Sequence, residues 1–136
     1  MKSTSKATSS LRKIEESIRK IAMSYPEVRE DFPWGHSAFK VKEKAFVFMG
    51  GDKDEVSFSV KLPQSRDIAV DLPFTEPTGY GLGKAGWVTV TVRRDTKITL
   101  NLIKSWIDES YRAIAPKRLL NVGADAIVRP AARKRG

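Results

Sequence analysis

The chain contains no cysteine, which removes disulfide staples, thiolate zinc sites and cysteine nucleophiles together. It has a single histidine, His36. One imidazole falls well short of the three or four donors that a zinc or iron site needs. No apolar run approaches the roughly 20 residues of a bilayer-spanning helix. The Lys-, Ser- and Thr-rich opening also lacks the apolar stretch of a secretory signal. A cytoplasmic protein without a membrane partner is the expectation. Catalytic signatures are missing too. There is no Gly-x-Ser-x-Gly elbow, and no general base, nucleophile and oxyanion donor can be named together. Neighbouring carboxylates such as Glu27 and Glu30, or Asp108 and Glu109, read as solvated helix or turn residues. No catalytic residue, cofactor or metal is expected, and an enzyme is not the expected class.

The 136 residues, 40% hydrophobic, suit one domain with a core of its own. Acidic residues are scarce relative to basic ones, 16 against 25, for a net charge of +9. Six of the basic residues lie near the ends: Lys2, Lys6, Arg129, Arg133, Lys134 and Arg135. The remaining 19 face all 16 acids, so the middle of the chain has a net charge of only +3. The composition predicts a disordered basic tail over 1–8, one α+β domain over 9–122 and a flexible basic tail over 123–136. Such a balance attracts polyanions through counterion release, or it serves solubility alone.

Within the domain, Leu11, Ile14, Ile18, Ile21, Ala22 and Tyr25 recur every three or four residues, which predicts an amphipathic helix from Ser9 or Ser10 that ends before Pro26. From Asp31 to Gly51 the pattern is a rigid turn and a β-hairpin. Pro33 and Gly35 shape the turn, Phe39 and Val41 alternate with Lys40 and Lys42, Glu43-Lys44 breaks the run, and Phe46 and Phe48 resume it. Val56, Phe58 and Val60 alternate with Ser57, Ser59 and Lys61 in a third strand. Pro63 to Val70 reads as a short helix, followed by a long Pro- and Gly-punctuated connection through Gly86. Trp87 to Val92 alternates as a further strand. A helix from about Lys97 to Ala115, capped by Asp95 or Thr96, carries Trp106, Ser110 and Tyr111 toward the sheet. Pro116 opens a last short turn with Leu119 and Leu120. This order predicts a two-layer α+β sandwich, with an antiparallel sheet of about four to six strands packed on the N- and C-terminal helices.

Three stretches resemble a known family. These are Phe32-Pro33-Trp34-Gly35-His36 before Phe39-Lys40-Val41; Leu82-Gly83-Lys84-Ala85-Gly86-Trp87-Val88; and Ser110-Tyr111 before Ala115-Pro116-Lys117-Arg118-Leu119. In this order and spacing the chain resembles the MmcQ/YjbR-like proteins over residues 9 to 121. The resemblance implies a small α+β fold of the frataxin/CyaY-like kind. It also implies a DNA-binding role linked to two β-hairpin wings that contact the duplex. Iron handling of the frataxin kind calls for an acidic surface, whereas Glu15 and Glu16 are offset here by Arg12, Lys13, Arg19 and Lys20.

Two functional readings follow. In the first, Lys40, Lys42 and Lys44 form a basic ridge on the hairpin, Arg93 and Arg94 a second one, and Lys84 adds an anion contact. The protein is then a non-enzymatic DNA-binding module that positions itself on phosphates. Ordinary edge protection by lysine accounts for the same residues. In the second, Trp34, His36 and Lys84 mark a ligand corner for a small molecule or protein, between the Pro33–His36 turn, the Gly79–Gly86 loop and the last helix. Gly81-x-Gly83-Lys84-x-Gly86 is not a phosphate loop, because no Ser or Thr follows the lysine and a strand follows instead of a helix. A monomer is expected.

Overall fold

Alternation is the pattern that builds this molecule. Val56, Phe58 and Val60 pair across to Val92, Val90 and Val88, so two neighbouring strands present one continuous apolar face. The computed structural model describes residues 2–32, 36–79 and 82–120, with side chains from Ser10 onward. It contains strands β1 (Val28–Asp31), β2 (Ser37–Val41), β3 (Lys44–Asp52), β4 (Glu55–Lys61), β5 (Thr75–Pro77) and β6 (Trp87–Arg93). The helices are α1 (Lys2–Met23), α2 (Arg66–Ala69) and α3 (Leu100–Ile114), with a 3-10 turn at Leu82–Ala85. The six strands form one sheet in the order β1-β2-β3-β4-β6-β5, every neighbouring pair antiparallel. Helices α1 and α3 lie against the same face, which makes the expected two-layer α+β sandwich.

The apolar stripe of α1 behaves as its spacing requires. Leu11, Ile18 and Ala22 are buried, while Ile14, Ile21 and Tyr25 pack at the margin. The helical span includes residues 2–8, which the composition assigned to a tail, so helix starts ahead of Ser9. The basic tail over 123–136 lies outside the described residues. Helix α3 starts at Leu100, and its cap is Thr99, whose hydroxyl accepts from the Leu102 N–H at 3.2 Å. Thr96 instead accepts from the Arg93 N–H and closes the turn after β6. Pro116 opens the last turn, and the Leu119 and Leu120 N–H groups donate back to its carbonyl.

Two strands lie where the sequence shows none. β1 is the polar run Val-Arg-Glu-Asp, and β5 sits inside the Pro- and Gly-rich connection. Both are edges of the sheet. An edge strand needs little apolar surface, so it lacks the signal that alternation gives.

The most consequential departure is a β-bulge in β3. Phe39 pairs with Val47, but Lys40 pairs with Ala45, so Phe46 is the extra residue. Phe46 and Val47 both end in the core, fully buried. Phe48 is thereby turned to the opposite face, where it meets Trp87 at 5.5 Å between ring centroids. Simple alternation had put Phe46 and Phe48 together under the helices, and the bulge separates them. The bulge frees the Phe46 carbonyl, and Ser110 of α3 donates to it at 2.6 Å. The same hydroxyl accepts from the Lys61 N–H at 2.8 Å. One buried serine therefore fastens α3 to two strands.

Around it, Tyr111 stacks on Tyr25 at 4.5 Å, and Phe46 meets both rings edge-on. Burial, together with a hydrogen bond to Asp108, raises the Tyr25 phenol well above its ordinary value.

Candidate functional site

Antiparallel registers fix the two ends of the sheet. The β2–β3 turn, the end of β4, the start of β6 and the end of α3 share one end, called here the hairpin end. The β3–β4 turn and the end of β6 share the other. The two are separated by six residue steps of β4, roughly 20 Å.

Of the residues singled out in the sequence, Lys40, Lys42, Lys44 and Lys84 belong to the hairpin end. Lys42 lies in the β2–β3 turn, Lys44 opens β3 just after it, and Lys84 stands in the 3-10 turn between β5 and β6. Arg93 and Arg94 belong to the opposite end, so the structure does not join the two expected ridges into one surface. Several of these charges are also engaged. Lys40 pairs with Asp31 at 3.1 Å, Lys42 with Glu27 at 3.9 Å and Arg93 with Glu55 at 3.0 Å. Arg29 and Glu43 pair across the strand ends at 3.3 Å. By contrast, Lys44, Lys61 and Lys84 at the hairpin end, and Arg94 at the other, form no ion pair with any described residue. Lys61 is not among the cations singled out in the sequence. Its place in an alternating strand marked the face it would take, but only the register puts it at the hairpin end.

The face that carries neither α1 nor α3, and no other helix among the described residues, called here the helix-free face, can be read row by row across the sheet. Nearest the hairpin end come Arg29, Lys40, Ala45, then Lys61 and Trp87. The next row holds Ala38, Phe48, Ser59, Thr89 and Glu76. Below it lie Gly50, Ser57 and Thr91. A line of hydroxyls runs through the second row, with Ser59 bonded to Thr89 at 2.8 Å and Thr89 to Thr78 at 2.9 Å.

Of the corner expected from Trp34, His36 and Lys84, the structure places His36 and Lys84 toward opposite ends of the sheet. His36 precedes β2 and packs beside Gly50, toward the end opposite Lys84. Trp34, with Pro33 and Gly35, lies outside the described residues. In the described part of the Gly79–Gly86 connection, Gly83 is closely packed. A Cβ on Gly83 would sit 2.9 Å from the Pro77 Cβ and 3.0 Å from the Thr78 carbonyl. Arg66 of α2 also donates to the Gly83 carbonyl at 3.0 Å. His36 nevertheless borders two cavities. One, of about 280 Å³, lies between α1 and the sheet end, where Arg12, Arg19 and Phe32 are among its walls. The other, of about 230 Å³, opens on the helix-free face between His36, Phe48, Gly50, Ser57 and Ser59.

Near the first cavity, Glu30 accepts from Arg19 at 3.1 Å and from Ser37 at 2.6 Å. Burial alone would raise the Glu30 carboxyl, but these two bonds and the Arg19 charge outweigh it and hold the group below the usual carboxylate value. Among the described residues, no three His, Asp or Glu side chains converge as a metal site. Nor is any helix long and apolar enough to cross a membrane.

An antiparallel sheet with both long helices on one face defines a small two-layer α+β sandwich. The YjbR family model matches residues 23–113, and the chain belongs to the YjbR family. Two solved structures share the fold. A Deinococcus radiodurans protein with a DUF419 domain aligns with a TM-score of 0.61 at 22% identity, over 80% of this chain and 83% of that one. A Pseudomonas syringae protein aligns with a TM-score of 0.57 at 20% identity, over 73% of this chain and 96% of that one. No curated protein matches the sequence.

Proposed function

We propose that this protein is a non-enzymatic nucleic-acid-binding module that holds phosphates at the hairpin end of its sheet. The observation that carries this reading is the placement of Lys44, Lys61 and Lys84. All three belong to the hairpin end, none is neutralised by a described acid, and Lys61 stands in the row of Trp87. Lys40 and Lys42 add charge nearby, although Asp31 and Glu27 offset it. Phosphate contacts of this sort set position and orientation and carry no sequence information. The basic residues near the chain ends add counterion release without requiring a fixed geometry. Arg93 and Arg94 take a secondary part, since they lie some 20 Å away along the strands. The test is a titration of the full chain with labelled DNA at rising salt. Affinity falls steeply between about 50 and 200 mM. Absence of binding at the low end removes the proposal.

A second reading has one observation in its favour, the cavity of about 280 Å³ beside His36. It would take a small polar molecule, since Arg12, Arg19 and Lys53 line it together with Glu15, Asp52 and Glu55. A thermal-shift screen against polar metabolites of both charges checks it, and no shift with any of them counts against it.

A further inference from the structure

The geometry points to single-stranded nucleic acid as the ligand, with one base seated against Phe48 in the cavity on the helix-free face. This inference rests on the proposed nucleic-acid function and makes it specific. Two observations argue against a duplex gripped by hairpin wings. The β2–β3 turn is only two residues long, Lys42 and Glu43, and each is tied back to the body of the molecule through Glu27 and Arg29. A turn so short does not project as a wing. The other basic strand end, Arg93, sits at the opposite end of the sheet beside Glu55.

The helix-free face instead offers what an unpaired base requires. A single strand exposes the π-faces of its bases, and aromatic side chains on a sheet can take them up. Phe48 reaches this face only because of the bulge at Phe46, and it is half-buried beside Trp87 rather than sealed in the core. Gly50 has no side chain to fill the floor, which leaves the cavity of about 230 Å³ open beside the ring. Ser57 and His36 stand at its edge. The Ser57 hydroxyl has no partner among the described residues, so it can bond to the edge of a base. Lys61 lies two residues along β4 from Ser59, about 7 Å. That is close to the spacing at which a phosphate follows a stacked base, so stacking and charge are matched on one strand path.

The experiment compares a short labelled single strand with a duplex of the same sequence, using the full chain at about 50 mM salt. The inference expects the single strand to bind more tightly. It also expects Phe48→Ala and the volume-keeping Phe48→Leu to weaken single-strand binding by about 10-fold or more while leaving duplex binding unchanged. Lys61→Gln weakens both. Circular dichroism establishes that each variant is folded, and Phe48→Leu retains enough apolar volume to keep the comparison valid. Tighter duplex binding, or indifference of the single strand to both Phe48 variants, overturns the single-strand inference and leaves the phosphate-binding proposal standing. Binding to neither ligand overturns both.

Discussion

Ser110 shows how one small side chain can decide a local structure. Its hydroxyl serves the orphaned Phe46 carbonyl and the Lys61 N–H at once, inside the core. Ser110→Ala leaves both groups buried without a partner, at about 1–3 kcal/mol for each. Urea denaturation of the variant is expected to show a loss of about 2–4 kcal/mol; a loss under 1 kcal/mol would mean that the bulge finds another partner. Glu30 supports a prediction of a different sort. Its carboxyl is lowered in the folded protein by Arg19 and Ser37 against the opposing effect of burial. A lowered folded value means that the unfolded chain takes up the proton first. The stabilisation is therefore complete above the ordinary carboxyl value of 4.5 and is lost as pH falls through the folded value. Wild type compared with Glu30→Gln should show a stability gap at neutral pH that closes in acid. A gap independent of pH would assign the cluster a packing role only.

Among the elements, the sheet divides into a strong centre and two weak margins. β3, β4 and β6 bury Val47, Met49, Val56, Phe58, Val60, Val88, Val90 and Val92 under α1 and α3. β1 has no fully buried residue, and β5 spans three residues with Pro77 among them. Amide exchange should follow this division, with β4 and β6 opening near the global limit and β1 and β5 much sooner. Equal protection across all six strands would contradict it. The same division explains what could be read in advance. Strands with a buried face announce themselves by alternation, as β2, β4 and β6 did. β1 and β5 gave no such signal, because hydrogen bonds to β2 and β6 hold them rather than an apolar face. Helix α1 was legible from its stripe and α3 from its broad face. Neither pattern specifies the register between strands.

For the molecule as a whole, the question is where unbalanced charge lies. Pairing with Asp31, Glu27 and Glu55 offsets much of the charge that the sequence offered on the hairpin and after β6. Cations without an ion pair to a described residue lie at both ends, Lys44, Lys61 and Lys84 at the hairpin end and Lys53, Arg94 and Lys97 at the other. If the hairpin end touches phosphates, replacing its three lysines with glutamine flattens the slope of log affinity against log salt by about 2–3. Replacing Arg93 and Arg94 together has a smaller effect on the slope. An unchanged slope in the triple variant would place the contact on the chain ends alone.

By itself, the sequence determined the class of fold, the two helices that cover the sheet, the absence of cysteine and the basic excess. These are local or compositional properties: a hydrophobic period of 3.6 or 2 is written residue by residue. Only the tertiary structure decided which charges remain unpaired, that His36 and Lys84 lie toward opposite ends, and that Phe48 faces away from the helices. These depend on cross-strand register, and register depends here on a single extra residue. Inserting Phe46 into β3 shifts every later side chain of that strand to the other face, and nothing in the spacing of the phenylalanines records the shift.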